Sequence, residues 1–227
     1  MREVDRLMID EYGITLLQMM ENAGRNLGEL AKKMLGGSVK GKKILVASGK
    51  GNNGGGGLAA ARHLSNWGGE VIVFIPDDSL GEAPNHQLKT LRKLPVSVFE
   101  GAEGIKKIPI TKSDLIIDSL IGYGLTGTPR GFSKTAIKNI NALGGSVLSL
   151  DVPSGLDAST GKVYHPCIKA DATLTLALPK VGLLNNEAKN MVVGDLYIAD
   201  ISVPPELYAQ MGISIPQIFY KKTIIKV

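Results

Sequence analysis

After an opening of mixed charge, apolar residues recur at helical spacing through Leu16, Met20, Ala23, Leu27, Leu30 and Leu35, so residues 15–35 are expected to form an amphipathic helix whose stripe faces the core. The period then changes. Ile44, Leu45, Val46 and Ala47 form a short continuous apolar run, a glycine-rich loop follows, and 58–67 returns to a helical pattern. The same alternation predicts strands at 71–75, 96–99, 115–117 and 146–150, with helices over 86–94 and 134–143. Residues 172–178 and 192–198 read as further strands, and the tail after about residue 205 carries no clear pattern. Strands that are almost wholly apolar and alternate with helices imply a parallel sheet covered on both faces. The expected fold is therefore α/β, a Rossmann-like three-layer domain with a mostly parallel central sheet, formed by 1–227 as one unit.

In such sheets ligands bind beyond the carboxyl ends of the strands, near the point where strand order reverses. The segments after Ala47, Ile117 and Leu150 are thus expected to converge. The first reads Gly49-Lys50-Gly51-Asn52-Asn53-Gly54-Gly55-Gly56-Gly57. Its glycines let backbone amides approach a phosphate, and the helix behind it adds a positive dipole end. Gly49, Gly51 and Gly54 match the dinucleotide fingerprint, with Asp77 or Asp78 at the end of the next strand as its acidic partner. By themselves these features fit a flexible turn as well. The second segment runs from Asp118 to Gly131 and offers glycines, hydroxyls and Arg130, which is either a phosphate contact or a surface arginine. In the third, Asp151-Val152-Pro153-Ser154-Gly155, a carboxylate ends a buried strand. Asp118 and Asp151 are expected to project into one crevice, for acid/base work or cation binding, although either alone would suit a strand-end cap.

Composition narrows the picture further. Of 227 residues, 44% are hydrophobic and 21% charged, which excludes a disordered chain, and no apolar run is long enough to span a membrane. The charged opening lacks the apolar core of a secretory signal, so a cytoplasmic protein is expected. A net charge of +5 favours an anionic ligand such as a pyrophosphate, and without basic runs interleaved with aromatics it gives nucleic acid little support. The lone Cys167 makes no internal disulfide, and His63, His86 and His165 have neither metal nor catalytic spacing, so all four are expected to serve packing or surface.

Met20-Glu21-Asn22-Ala23-Gly24, Gly51-Asn52-Asn53-Gly54-Gly55, Asp118 through Gly131, and Asp151-Val152-Pro153-Ser154-Gly155-Leu156-Asp157 occur in the order found in the NAD(P)H-hydrate epimerase (YjeF N-terminal) family, which the chain resembles from about residue 1 to Pro205. The resemblance implies an enzyme that interconverts the R and S forms of hydrated NADH or NADPH, a repair of damaged nicotinamide cofactors. Carried over by position, ligand contacts fall on Asn52, Asn53, Gly54, Gly55 and Gly56, on Gly122, Tyr123, Gly124, Leu125, Thr126, Gly127 and Thr128, and on Asp151, which is also the expected general acid/base. Potassium ligands fall on Asn53, Asp118 and Ser154, whose amide, carboxylate and hydroxyl oxygens are the hard donors such a cation takes. A homodimer and a separate dehydratase as pathway partner are implied in the same way.

There is one departure. Where the family's loop reads Asn-Asn-Gly-Gly-Asp-Gly, this chain has Gly56 in place of the Asp, and four consecutive glycines are expected to make the loop mobile. Two other functions therefore stand beside the epimerase: a catalytically impaired ligand-binding or interaction scaffold on the same fold, and an NAD-dependent oxidoreductase suggested by the glycine fingerprint.

Overall fold

The computed structural model describes residues 1–77, 79–101, 103–108 and 112–227, with the Lys112 side chain excepted. Asp78, one of the two acidic partners expected for the glycine segment, lies outside the described residues.

Helices α1 (Arg2–Asp10) and α2 (Leu16–Met34) precede β1 (Lys43–Ser48), α3 (Asn52–Asn66), β2 (Glu70–Ile75), α4 (Glu82–Leu91) and β3 (Ser97–Glu100). Then come β4 (Lys112–Ser119), α5 (Gly131–Ala142), β5 (Gly144–Leu150), β6 (Ala172–Leu176), the short helix α6 (Asn186–Ala188), β7 (Asp195–Ala199), α7 (Pro205–Gln210) and β8 (Ile224–Lys226). Eight strands form one sheet in the order β3-β2-β1-β4-β5-β6-β7-β8, parallel throughout except for β8, which runs antiparallel to β7. Strand order reverses between β1 and β4, which places the ligand crevice of a doubly wound sheet at their carboxyl ends.

Period-2 alternation divides the core into two layers. Ile44 and Val46 of β1 face the side covered by α2 and α3, where Leu27, Leu30, Leu58 and Leu64 pack, while Leu45 and Ala47 face α5 through Ala136, Ile137 and Ile140. The α2 helix starts where its chemistry dictates. Thr15 and Gln18 form a reciprocal capping box, with the Thr15 amide donating to Gln18 Oε1 at 2.8 Å and the Gln18 amide to Thr15 Oγ1 at 3.3 Å.

The largest correction concerns the glycine segment, which is helix rather than mobile loop. Gly54, Gly55, Gly56 and Gly57 are buried in the first turns of α3. A Cβ at Gly54 would lie 1.8 Å from the Gly49 carbonyl oxygen, at Gly55 2.6 Å from Met20 Sδ, and at Gly57 1.9 Å from Ser119 Oγ. Close approach of α2, β1 and β4 therefore demands these glycines and overrides their poor helix propensity. Other boundaries also differ. The helix expected at 86–94 begins at Glu82, β4 extends through Asp118, and Val192 and Val193 leave the expected strand for a π turn, Lys189–Val193, that continues α6. Gly194, at φ 64°, then turns the chain into β7. Among the described residues no helix is long and apolar enough to cross a membrane.

Candidate functional site

A cleft of about 420 Å³ opens at the carboxyl ends of the strands around the β1/β4 reversal, a size suited to a small-molecule ligand. Met1 just ahead of α1 and Leu16, Met19, Met20 and Ala23 of α2 give it an apolar side, on which Asp5 of α1 is the one acidic lining residue. The opposite wall comprises Gly49 through Asn53, Gly56, the stretch Leu120 to Gly124, and Asp151.

Asp151 owes its position to backbone geometry. It follows β5 directly with φ 66°, a left-handed conformation that aspartate tolerates better than most side chains, and its amide donates to the Leu174 carbonyl of β6 at 2.7 Å. One carboxylate oxygen, Oδ2, accepts the Tyr123 amide at 2.9 Å. The other, Oδ1, lies 2.5 Å from Lys180 Nζ, and both side chains are almost wholly buried. Lys180 reaches this point because Ala177, also left-handed at φ 63°, folds the chain back over the end of β6, where Lys180 Nζ donates to Thr175 Oγ1 at 3.0 Å and to the Leu176 carbonyl at 2.8 Å. The pair is thus a buried ion pair, anchored on the lysine side by Thr175 and Leu176 and on the aspartate side by the Tyr123 amide, whose carboxylate forms part of the cleft wall.

Asp118 is placed differently from the expectation that it would share the crevice. It sits within β4 between Ala47 of β1 and Ser149 of β5, is fully buried, and does not line the cleft. Its Oδ2 accepts Ser149 Oγ and the Ser154 amide, both at 2.9 Å, and its Oδ1 accepts Ser154 Oγ at 2.6 Å and the Leu120 amide at 3.2 Å. These bonds tie the turn after β5 to the end of β4. Burial pushes the Asp118 carboxyl above the usual carboxylate range, opposed by the donors from Ser154, Leu120 and Ser149.

Of the other expected ligand residues, Asn52, Asn53, Gly56, Gly122, Tyr123 and Gly124 line the cleft. Asn53 Nδ2 donates to the Leu150 carbonyl at 3.3 Å. Gly54 and Gly55 lie behind the wall in helix packing, and Leu125, Thr126, Gly127 and Thr128 continue away from the cleft, with both threonines exposed. Arg130 is exposed as the N-cap residue of α5 and does not line the cleft, whereas Ser133 in the first turn of that helix does. Gly56 has a packing reason of its own, since a Cβ there would meet Leu150 Cδ2 at 2.8 Å. An aspartate at this position would require that leucine methyl to move. His63 is buried and bonds Glu21 Oε1 at 2.8 Å, and Cys167 is buried with its thiol pushed up to about 12, so neither contributes chemistry to the cleft.

Two charged groups beside the cleft lie outside the sequence motifs. Lys180 had no motif to announce it, since it meets Asp151 only through the β6 turn. Asp5 lay in an opening read merely as charged. Its carboxylate lines the cleft and accepts the Tyr123 hydroxyl at 2.5 Å, while burial pushes the Asp5 carboxyl up against the lowering effect of that bond. A recognisable signal did exist, because Val4, Leu7 and Met8 stand at helical spacing and are buried.

Comparison with known proteins gives a consistent result. The family described as YjeF-related protein N-terminus matches residues 16–182. An NAD(P)H-hydrate epimerase from Dehalogenimonas lykanthroporepellens is 43% identical over 94% of this chain and 84% of its own length. A bifunctional NAD(P)H-hydrate repair enzyme from Moorella thermoacetica is 38% identical over 92% of this chain, which spans only 40% of that relative. The crystal structure of the yeast protein YNL200c superposes with a TM-score of 0.85 at 26% identity, covering 100% of this chain and 96% of the yeast chain.

Proposed function

The chain belongs to the YjeF-related N-terminal family, and from that premise we propose that it is an NAD(P)H-hydrate epimerase whose proton-transfer group is Asp151. The observation that carries this reading is the Asp151–Lys180 pair, a carboxylate on the cleft wall held 2.5 Å from a buried ammonium. The substrate carries its hydroxyl on carbon 6 of the nicotinamide ring, bonded to nitrogen. When that hydroxyl is protonated the C–O bond breaks, water departs, and the nitrogen lone pair stabilises the cation left behind. Water returning to the opposite face gives the other epimer.

The pair supplies and recovers one proton. Lys180 passes it to Asp151, which delivers it to the departing hydroxyl. The carboxylate then takes a proton from the returning water and passes it back to Lys180. Transfer within the pair exchanges two charged groups for two neutral ones in a site that holds little water. The Tyr123 amide on Oδ2 holds the carboxylate in place, and Met19, Met20 and Leu16 exclude bulk water from the reacting ring. Binding residues in this reading are Asn52, Asn53, Gly56, Gly122, Tyr123 and Gly124 on the wall, with Gly54, Gly55 and the stretch Leu125, Thr126, Gly127, Thr128 shaping the backbone around them.

Potassium is part of the same proposal. Asp118 is fully buried, and among the described residues four hydrogen-bond donors but no lysine or arginine offset its charge, so a cation beside it would stabilise the ionised form. Asn53, Asp118 and Ser154 would hold the ion with oxygen donors. Bound potassium supplies a positive charge that offsets the buried carboxylate. Because the folded state raises the Asp118 carboxyl, ionisation of this group costs stability once pH exceeds the ordinary carboxylate range, and the cost vanishes in acid. Potassium chloride is accordingly expected to raise Tm at neutral pH relative to choline chloride at equal ionic strength. The gain should disappear in acid and in Asp118→Asn, as thermal denaturation would show. A homodimer and a dehydratase as pathway partner complete the proposal, in a cytoplasmic setting.

The direct test supplies the pure R epimer of hydrated NADH with potassium present and follows formation of the S epimer by chromatography. Conversion above the spontaneous rate is expected. Its absence at saturating substrate would remove the epimerase reading.

A further inference from the structure

The cleft extends beyond the reacting end to Pro76 and Asp77 at the end of β2, with Lys50 beside them. From β2 to β5 there are three strand spacings, through β1 and β4. At about 4.8 Å each, that separation is about 14 Å. Two mononucleotide halves straddling the strand-order reversal span the crevice in this direction. With the nicotinamide ring at Asp151, the adenosine ribose falls at Asp77.

Asp77 is a preformed acceptor. Its Oδ1 receives the Ser79 hydroxyl at 2.5 Å and the Ser79 amide at 3.2 Å, while its Oδ2 lies 3.2 Å from Lys50 Nζ. The bonds from Ser79 hold the carboxyl below the usual range, so it is charged at neutral pH. A fixed, ionised carboxylate suits a 2′-hydroxyl donor and opposes a 2′-phosphate. The Lys50 side chain is 63% exposed against 22% for Asp77, so Asp77 is the better-buried partner and Lys50 lies against it from the solvent side.

Resting on the epimerase reading above, we infer that Asp77 is the specificity-determining residue for the adenosine ribose and that the enzyme prefers hydrated NADH over hydrated NADPH. Lys50 is neutralised by Asp77 in the natural chain and becomes a phosphate ligand when that carboxylate is removed.

The experiment compares kcat/KM for the two hydrates in the natural chain, in Asp77→Ser and in Asp77→Ser/Lys50→Met. In parallel, calorimetry on the same proteins measures binding of adenosine 5′-monophosphate and adenosine 2′,5′-bisphosphate, which requires no turnover. A preference of about tenfold or more for hydrated NADH is expected, with the same sense in the adenosine fragments. Asp77→Ser should bring the two substrates within about threefold by improving the phosphorylated one, and the double variant should lose that improvement. Equal kcat/KM in the natural chain, or a ratio unmoved by Asp77→Ser, overturns the inference while leaving the epimerase intact. If neither hydrate turns over, the epimerase reading fails, and the fragment affinities still decide whether Asp77 discriminates at the 2′ position.

Discussion

Asp151→Asn protein should epimerise at least about 10³-fold more slowly than the natural chain, because the amide can neither deliver a proton to the departing hydroxyl nor take one from the returning water. The substitution preserves shape and an oxygen to accept the Tyr123 amide. It nevertheless leaves Lys180 as a buried cation held only by Thr175 and the Leu176 carbonyl, so stability should fall by about 3 kcal/mol. Rates therefore need to be compared on protein shown to be folded by circular dichroism at the assay temperature. Lys180→Met removes the second member of the pair. Lys180 does not line the cleft, so KM should change little while kcat drops about 10²-fold. A normal rate from folded Asp151→Asn would remove the proton relay.

The second large effect is on folding. Gly49→Ala should destabilise the protein by about 3 kcal/mol in urea titrations, because its Cβ would lie 1.9 Å from the Leu120 carbonyl oxygen and 2.8 Å from the Leu120 carbonyl carbon. Both are backbone atoms at the end of β4, where the Gly49 amide already donates to the Ser119 carbonyl at 3.1 Å, and neither can turn aside as a side chain would. Gly51→Ala, two residues away, meets nothing within 4 Å and should change stability by less than about 1 kcal/mol. A flexible glycine loop would tolerate both changes alike, so the contrast tests close packing as the reason for the glycines. Equal, small effects would show that the end of β1 can yield.

Much of this architecture was readable because its elements are amphipathic or wholly apolar. The stripe from Leu16 to Leu30 marks α2, and the apolar runs of β1, β2 and β5 mark strands buried on both faces. Asp151 was readable for a related reason, as a charge placed directly after a buried strand. The start of α3 was not, since four glycines carry low helix propensity and the nearness of Gly49, Met20, Leu150 and Ser119 explains them. Val192 and Val193 imitate the apolar start of β7, and the break at Gly194 is a backbone event that composition does not announce. Lys180 shows a third kind of limit. Its role depends on a turn at Ala177 that brings together residues from two different strand ends, and local sequence contains no record of that meeting.

The antiparallel β8 also bears on how the chain stays dispersed. Without it, β7 would end the sheet with a row of unpaired amides and carbonyls, a template on which other chains could add strands. The occupant of that place is only three residues long, and its Lys226 reaches Asp195 of β7 at 2.7 Å. Recruitment of further strands would find a rim of three residues ending in a lysine in place of the five-residue edge of β7. The least patterned part of the sequence thus covers the edge of β7, a task for which brevity counts for more than a hydrophobic repeat.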